Sequence, residues 1–186
     1  MGELAGNMNR TMVKMKDLVK KLEDQAMEDK LTKVKNVTAY EQQEHIMNQH
    51  IAARDLAFSV LMLDVNGLKG INDRFGHAMG NELLRHTVKY LCDHFKHSPV
   101  FRVGGDEFVV IIMNEDYKHR HETLKELERH CQKRDYTKAR PWEQLAFAAG
   151  MSDYDPENDS TFQEIFLRAD AAMYKAKRAA EGTATR

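Results

Sequence analysis

Gly104-Gly105-Asp106-Glu107-Phe108, set between the apolar runs Val100-Phe101-Arg102-Val103 and Val109-Val110-Ile111-Ile112, decides how the rest of this chain is read. The branched and aromatic residues on either side favour paired strands, and the short Gly- and Asp-bearing stretch between them favours a tight turn. The pattern predicts a β-hairpin with two carboxylates at its tip. Its two glycines would allow positive φ and let a phosphate come close to the backbone. Turns also use glycine and aspartate for their geometry alone, so this stretch by itself does not separate a nucleotide site from an ordinary turn.

Upstream, Phe58-Ser59-Val60-Leu61-Met62-Leu63 is a near-continuous apolar run of the kind found in a buried strand, and it stops at Asp64-Val65-Asn66-Gly67-Leu68-Lys69. A carboxylate is therefore expected where a central strand ends. If that strand lies beside the hairpin, Asp64 and Asp106 converge at one end of a sheet. Two hard oxygen ligands without histidine or cysteine favour Mg²⁺ or Mn²⁺ over zinc. Ile71-Asn72-Asp73 and Gly76-His77-Ala78-Met79-Gly80-Asn81 follow. From about Asn81, Leu84, Val88, Leu91, Cys92 and Phe95 recur at helical spacing.

Farther out, Thr38-Ala39-Tyr40-Glu41 has the spacing of a capping box with Thr38 as N-cap, and Tyr40, Met47 and Ile51 give the helix behind it an apolar face. After the hairpin, a charged helix is predicted from about His119 to Arg134, with Leu124, Leu127 and Cys131 inward. Leu145-Ala146-Phe147-Ala148-Ala149 reads as a strand, and Phe162, Ile165, Phe166, Ala169, Ala172, Met173 and Ala176 mark a last helix. The order βααββαβα implies a sheet covered by helices. At the N-terminus, Ala5, Met8, Met12, Met15, Val19, Leu22 and Ala26 recur at alternating spacings of three and four between charged residues. That seam suits a short coiled coil, or a helix packed on its own domain.

At 186 residues the chain fits one domain with a short extension, and its formal charge of −1 gives no bulk argument for a nucleic-acid or membrane surface. Any phosphate binding must be local. The two cysteines, Cys92 and Cys131, have no Cys-x-x-Cys spacing and read as buried free thiols of a reducing cytoplasm. The nine histidines, His94, His97, His119 and His121 among them, show no zinc pattern. No apolar run approaches the roughly 20 residues that span a bilayer, and there is no apolar leader.

In that order, Asp64-Val65-Asn66-Gly67-Leu68-Lys69, Asn72-Asp73, Gly76-His77-Ala78-Met79-Gly80-Asn81 and the hairpin resemble the GGDEF family, the bacterial diguanylate cyclases. The family's pattern includes Asp-x-Asp-x-Phe-Lys, Asn-Asp, Gly-His-x-x-Gly-Asp and the Gly-Gly-Asp-Glu-Phe turn. Asp29-Lys30-Leu31-Thr32, with Asn36 behind it, is similar to the family's opening signature, and Arg168 to Lys177 to its last helix. The resemblance implies an α/β (α+β) fold, the ferredoxin-like palm of the nucleotide cyclases, with a central, mostly antiparallel sheet covered by helices. It implies a GGDEF domain at 29–180 behind an N-terminal signalling helix at 1–28, and a tail at 181–186.

The function implied is condensation of two GTP into cyclic di-GMP with release of two pyrophosphates, in bacterial second-messenger signalling. By the same resemblance, Asp64, the Val65 carbonyl and Asp106 hold Mg²⁺ or Mn²⁺. Asp106 takes the proton of the attacking hydroxyl with Glu107 beside it, and Lys69 and Lys177 meet phosphate. Asn72, His77 and Asn81 face the nucleotide, as do Gly104 and Gly105. A homodimer is implied because each half-site holds one GTP. So is a sensor domain N-terminal to this chain, which would be the cytoplasmic output of a larger protein, membrane-bound or not; no nucleic acid and no membrane contact of this part is expected.

Four departures qualify the match. Asn81 stands where the family has aspartate, and Asn66 replaces the second aspartate of the first segment. Ala179-Ala180-Glu181-Gly182 stands for a Gly-Arg-Asn segment, and Glu181 near a phosphate would repel it. Phe95 and Ser98 occupy the positions of the family's inhibitory Arg-x-x-Asp. Two alternatives therefore stay open: a catalytically weak GTP-binding regulatory module, and a cyclase of relaxed purine specificity.

Overall fold

Seven consecutive buried residues, Ser59–Val65, form β1, and the rest of the fold is arranged around it. The structure is a computed structural model that describes residues 12–16, 18, 26–131 and 135–182, the last two without their side chains. β1 pairs antiparallel with β3 (Glu107–Ile112) on one side and β4 (Phe147–Asp153) on the other. With β2 (Val100–Arg102) the sheet order is β2-β3-β1-β4, every pairing antiparallel.

The helices are α1 (Val37–Ala53), α2 (Leu68–Phe75), α3 (His77–His94), α4 (Asn114–Lys118), α5 (Arg120–His130) and α6 (Phe162–Gly182). A 3₁₀ turn occupies Pro141–Glu143. The apolar run of β1 is continuous because both faces of the sheet are covered. Val60 and Met62 pack with Met47 and Ile51 of α1 and with Phe162, Ile165, Ala169 and Met173 of α6. Leu61, Leu63 and Val65 pack with Ile71 of α2, Leu83, Val88 and Leu91 of α3 and Leu127 of α5. Each fully buried Leu, Ile or Phe in these layers is worth about 1.5–3 kcal/mol relative to exposure.

Gly150 lets α6 sit directly on β4: a Cβ built there would lie 2.0 Å from the Met173 backbone nitrogen. That approach fixes the height of α6 over the sheet, and with it the side chains one turn beyond Met173.

Several elements differ from the sequence expectations. The N-cap of α1 is Asn36, not Thr38: its Oδ1 accepts from Ala39 N at 3.0 Å, and its Nδ2 donates to the Ala26 and Glu28 carbonyls. The Asn36 amide caps through its oxygen and tethers the preceding segment through two N–H donors, where a threonine hydroxyl has one donor. The charged helix is in two pieces broken at His119. The turn there lets the Arg120 guanidinium donate to Asp153 while lying 3.8 Å over the Tyr117 ring. Its second piece ends at His130, because Cys131 turns extended and its Sγ exchanges hydrogen bonds with the Phe147 backbone.

α3 starts four residues before Asn81, and β4 runs on to Asp153. Cys92 is exposed rather than buried, and Cys131 is half-buried. Most of the heptad seam lies outside the described residues; within them Met12, Val13, Met15 and Leu18 are helical and exposed. No helix among the described residues is long and apolar enough to cross a membrane.

Candidate active site

The β1–β3 register sets Asp64 directly opposite Glu107, and the Val65 amide donates to the Asp106 carbonyl at 2.9 Å. Two acidic segments some forty positions apart thus meet at one end of the sheet. Like charges facing each other across antiparallel strands are destabilising, so the fold must hold this arrangement by other means. One of them is Lys177, on α6 one turn beyond the Gly150 approach. Its Nζ donates to both Asp64 oxygens at 2.9 Å, and the Asp64 side chain is only 9% exposed.

The hairpin is closed by the Val103 and Gly104 amides, which both donate to the Glu107 carbonyl. Positive φ among the glycines falls at Gly67 and Gly76, not at Gly104 or Gly105, contrary to the sequence expectation. At Gly104 a built Cβ would lie 2.5 Å from Glu107 Oε2, because the glutamate folds back over the bare backbone there. Burial, then the charges of Asp64, Asp106 and Asp170, push the Glu107 carboxyl above its ordinary range, and Lys177 offsets this only in part.

A cleft of about 550 Å³ opens here, lined by Asp64, Glu107, Asp170, Tyr174, Lys177 and Arg178, with Met173 at its floor. That volume is within the range of small-ligand sites. A larger hollow of about 840 Å³ lies between the segment around Lys33–Lys35 and α1, far from this chemistry. Its lining of scattered amides, apolar side chains and single charges brings no carboxylate pair together.

The tip is braced from behind. Arg102 donates to the Gly105 carbonyl at 2.7 Å and to Asp29 Oδ1 at 3.0 Å, and Asp29 also accepts from the Thr32 amide and hydroxyl. Burial works to raise the Asp29 carboxyl, but the Thr32 and Arg102 donors outweigh it and hold the group below its ordinary value.

The other predicted residues are not among those that line this cleft. Asn72 is half-buried on α2, its Oδ1 where a Cβ at Gly80 would intrude. His77 is exposed at the start of α3, and Asn81 is half-buried one turn on. Lys69 is exposed on the first turn of α2 and makes no ion pair among the described residues. Gly105 is open and exposed, and Asp106 half-buried. The side chain of Glu181 lies outside the described residues. Asp170, Tyr174 and Arg178 were not singled out from the sequence, although with Lys177 they recur at helical spacing on one face of α6.

A family model of the diguanylate cyclase GGDEF domain matches residues 26–183. The chain belongs to the GGDEF family. It is 34% identical over 123 residues to the diguanylate cyclase DosC of Escherichia coli, covering 64% of this chain and 26% of DosC. It is 29% identical over 153 residues to the bifunctional diguanylate cyclase/cyclic di-GMP phosphodiesterase MucR of Pseudomonas aeruginosa, covering 82% of this chain and 22% of MucR. The chain thus spans about a quarter of the length of these curated relatives.

The coiled coil and GGDEF domain of DgcB from Caulobacter crescentus, solved with c-di-GMP, superposes with a TM-score of 0.75 over 94% of this chain and 92% of that one. At 21% identity this shows the shared fold, the cyclase palm. A microbial GGDEF domain solved with bis-(3′,5′)-cyclic di-GMP is 28% identical, with a TM-score of 0.68 over 85% and 94% of the two chains.

GGDEF diguanylate cyclases generally use divalent metal ions. Among the described residues no three His, Cys, Asp or Glu side chains form a ready cage for a metal. Mg²⁺ does not need one, because it typically takes one or two carboxylates and completes its shell with water and substrate phosphates. The buried Asp64 carboxylate, already holding a cationic group on both oxygens, fits that requirement.

Proposed function

We propose that this GGDEF domain condenses two GTP molecules into cyclic di-GMP with Mg²⁺ or Mn²⁺ at Asp64, the Val65 carbonyl and Asp106. In each half-reaction a 3′-oxygen bonds to the α-phosphorus of the other nucleotide, the bond to the β-phosphate breaks, and pyrophosphate leaves. The single observation that supports this best is Asp64, buried at the end of β1 beside the hairpin and neutralised by a cation. When bound, a divalent ion there would neutralise triphosphate charge and lower the pKa of the attacking hydroxyl.

The chain's own groups do the rest. Asp106 accepts the 3′-hydroxyl proton, with Glu107 beside it. Lys69 and Lys177 place fixed positive charge against the triphosphate, where negative charge develops. Asn72, His77 and Asn81 hold the base, and Gly104 and Gly105 leave the phosphates room. Because one half-site takes one GTP, the active species is a homodimer. The domain at 29–180 would then receive its signal through the helix at 1–28 from a sensor domain in a longer protein, with 181–186 as a tail. Incubating the protein with Mg²⁺ and GTP, ATP or both, and weighing the dinucleotides formed, tests the reading. GTP binding without product would replace it by a regulatory binding module.

Relaxed purine choice has one observation in its favour, the amide at Asn81 on the first turns of α3. An amide offers one acceptor oxygen and two donors where a carboxylate offers two acceptors to the guanine N1–H and N2–H₂ edge. Asn81→Asp is therefore expected to sharpen the GTP over ATP preference by about tenfold, roughly 1.4 kcal/mol, in competition binding. No product inhibition of the Arg-x-x-Asp type is expected through the segment before the hairpin. Phe95 is 3% exposed in the core, and Ser98 Oγ is engaged by Asp116 at 2.8 Å.

A further inference from the structure

The buried Asp64 carboxylate is held by a cationic side chain of the protein itself. Lys177 Nζ bonds both its oxygens, and around that pair stand Glu107 from β3, Asp106 from the turn and Asp170 from α6 itself. Arg178, beside Lys177, is exposed at the rim of the cleft. A carboxylate this buried needs a counter-charge, and the ammonium supplies it where a divalent cation would. Two cations cannot share one carboxylate without strong mutual repulsion.

We infer that Lys177 makes divalent-cation binding conditional on nucleotide: its ammonium occupies Asp64 until a triphosphate offers it a new partner. The inference rests on the reading of Asp64 as a cation ligand. A bare divalent ion must strip Lys177 from Asp64 and leave an ammonium beside it. A cation arriving with a triphosphate brings about four negative charges, onto which the one-third-exposed, four-carbon side chain can move without leaving the site. The Lys177 ammonium thereby offsets charge at the acidic end of the sheet, and that end does not fill with metal alone. Lys177 is in this sense a positioning residue that sets the order of binding.

The test is Mn²⁺ binding to the nucleotide-free protein, read by the loss of free-ion signal in electron paramagnetic resonance, and again with a non-hydrolysable GTP analogue. Lys177→Met is expected to tighten Mn²⁺ binding without nucleotide by tenfold or more and to weaken binding of the Mn²⁺–analogue pair by a similar factor. Lys177→Arg, which keeps the cation, stays as weak as the parent for Mn²⁺ alone. A purely structural lysine would weaken both or neither. Unchanged or weaker nucleotide-free binding in Lys177→Met overturns the inference.

Asp64→Asn separates the two readings. If it leaves Mn²⁺–analogue binding intact, Asp64 is not the ligand and both fall; if it abolishes that binding while Lys177→Met fails to tighten Mn²⁺, only the inference falls. Should Lys177→Met not fold, lysine-ammonium resonances of the ¹⁵N-labelled parent decide. The Lys177 signal is expected to move on adding Mg²⁺ with analogue and not on Mg²⁺ alone, and movement on Mg²⁺ alone overturns the inference.

Discussion

β1 faces an acidic residue of a neighbouring strand at each of its ends, and the two ends are built by opposite rules. At Ser59 the register brings in Asp153 of β4, whose carboxylate accepts from the Ser59 hydroxyl and twice from the Arg120 guanidinium, with His121 at 3.4 Å. Burial pushes Asp153 up, but Arg120 and Ser59 outweigh it and hold the carboxyl below its ordinary value. Next to it Arg168 grips Asp159 with two nitrogens and donates to the Asp153 carbonyl. At Asp64 the register brings in Glu107, and the charges of Asp64, Asp106 and Asp170 bear on it together, with the Lys177 ammonium on Asp64. One end has had its donors supplied by the fold. At the other, neighbouring acids raise the Glu107 carboxyl and Lys177 offsets them only in part, and such local conflicts are expected at functional sites.

The comparison breaks most visibly in activity. Asp64→Asn is expected to lower the rate of dinucleotide formation by about 10³-fold, the scale lost when one preorganised electrostatic contact to a transition state is removed. Asp153→Asn, at the other end of the same strand, is expected to leave the rate per folded molecule within about twofold. Mass-quantified product from the two variants side by side checks both. Equal losses would show that the ends are not functionally distinct.

In stability the ranking reverses. Asp159 has a side chain only 3% exposed and is held below its ordinary 3.8, first by the Arg168 hydrogen bonds. A carboxylate whose folded pKa is depressed contributes stability above the unfolded value and loses it as pH falls through the folded one. Asp159→Asn should therefore cost about 2 kcal/mol at neutral pH, in the range of hydrogen bonds to charged groups. The gap to the parent should close as pH drops below 3.8. Urea unfolding at a series of pH values reads this. For Asp153, more exposed and so more screened, Asp153→Asn should cost only about 1 kcal/mol.

The asymmetry was half legible in the sequence. The unbroken apolar run into Asp64 and the hairpin residues marked two strands and their acidic ends, because strand length, branching and turn chemistry are local properties. The counter-charge was not visible as such: Lys177 is 113 residues from Asp64, and nothing near either residue says that Gly150 brings α6 down onto β4. The resemblance implies Lys177 as a phosphate lysine, and its bonds to both Asp64 oxygens appear only in the fold. Thr38 matched a capping box, yet Asn36 won because its amide serves two segments at once. Cys92 kept apolar helical spacing but lies past the edge of the buried face of α3. The hairpin glycines were expected for their φ, whereas neither has positive φ and Gly104 instead lies under the folded-back Glu107 side chain, which the sequence does not show.

The smallest expected effect is also the one of opposite sign. Glu107 stands across from Asp64 with its carboxyl pushed upward by burial and by three neighbouring acids, so its ionised form works against the folded state. Glu107→Gln keeps the shape that folds over Gly104 and removes one of the like charges. In metal-free buffer the variant is expected to be more stable than the parent by about 0.5 kcal/mol, the scale of a cross-strand pair. Added Mg²⁺ with a GTP analogue should shrink or reverse that gain, because the parent then has a cation to spread its charge onto. Thermal melts of the two proteins with and without the ligand pair measure the difference. A Glu107→Gln protein less stable than the parent in metal-free buffer would mean that this end of β1 is as fully paired as the Ser59 end, and the contrast between them would collapse.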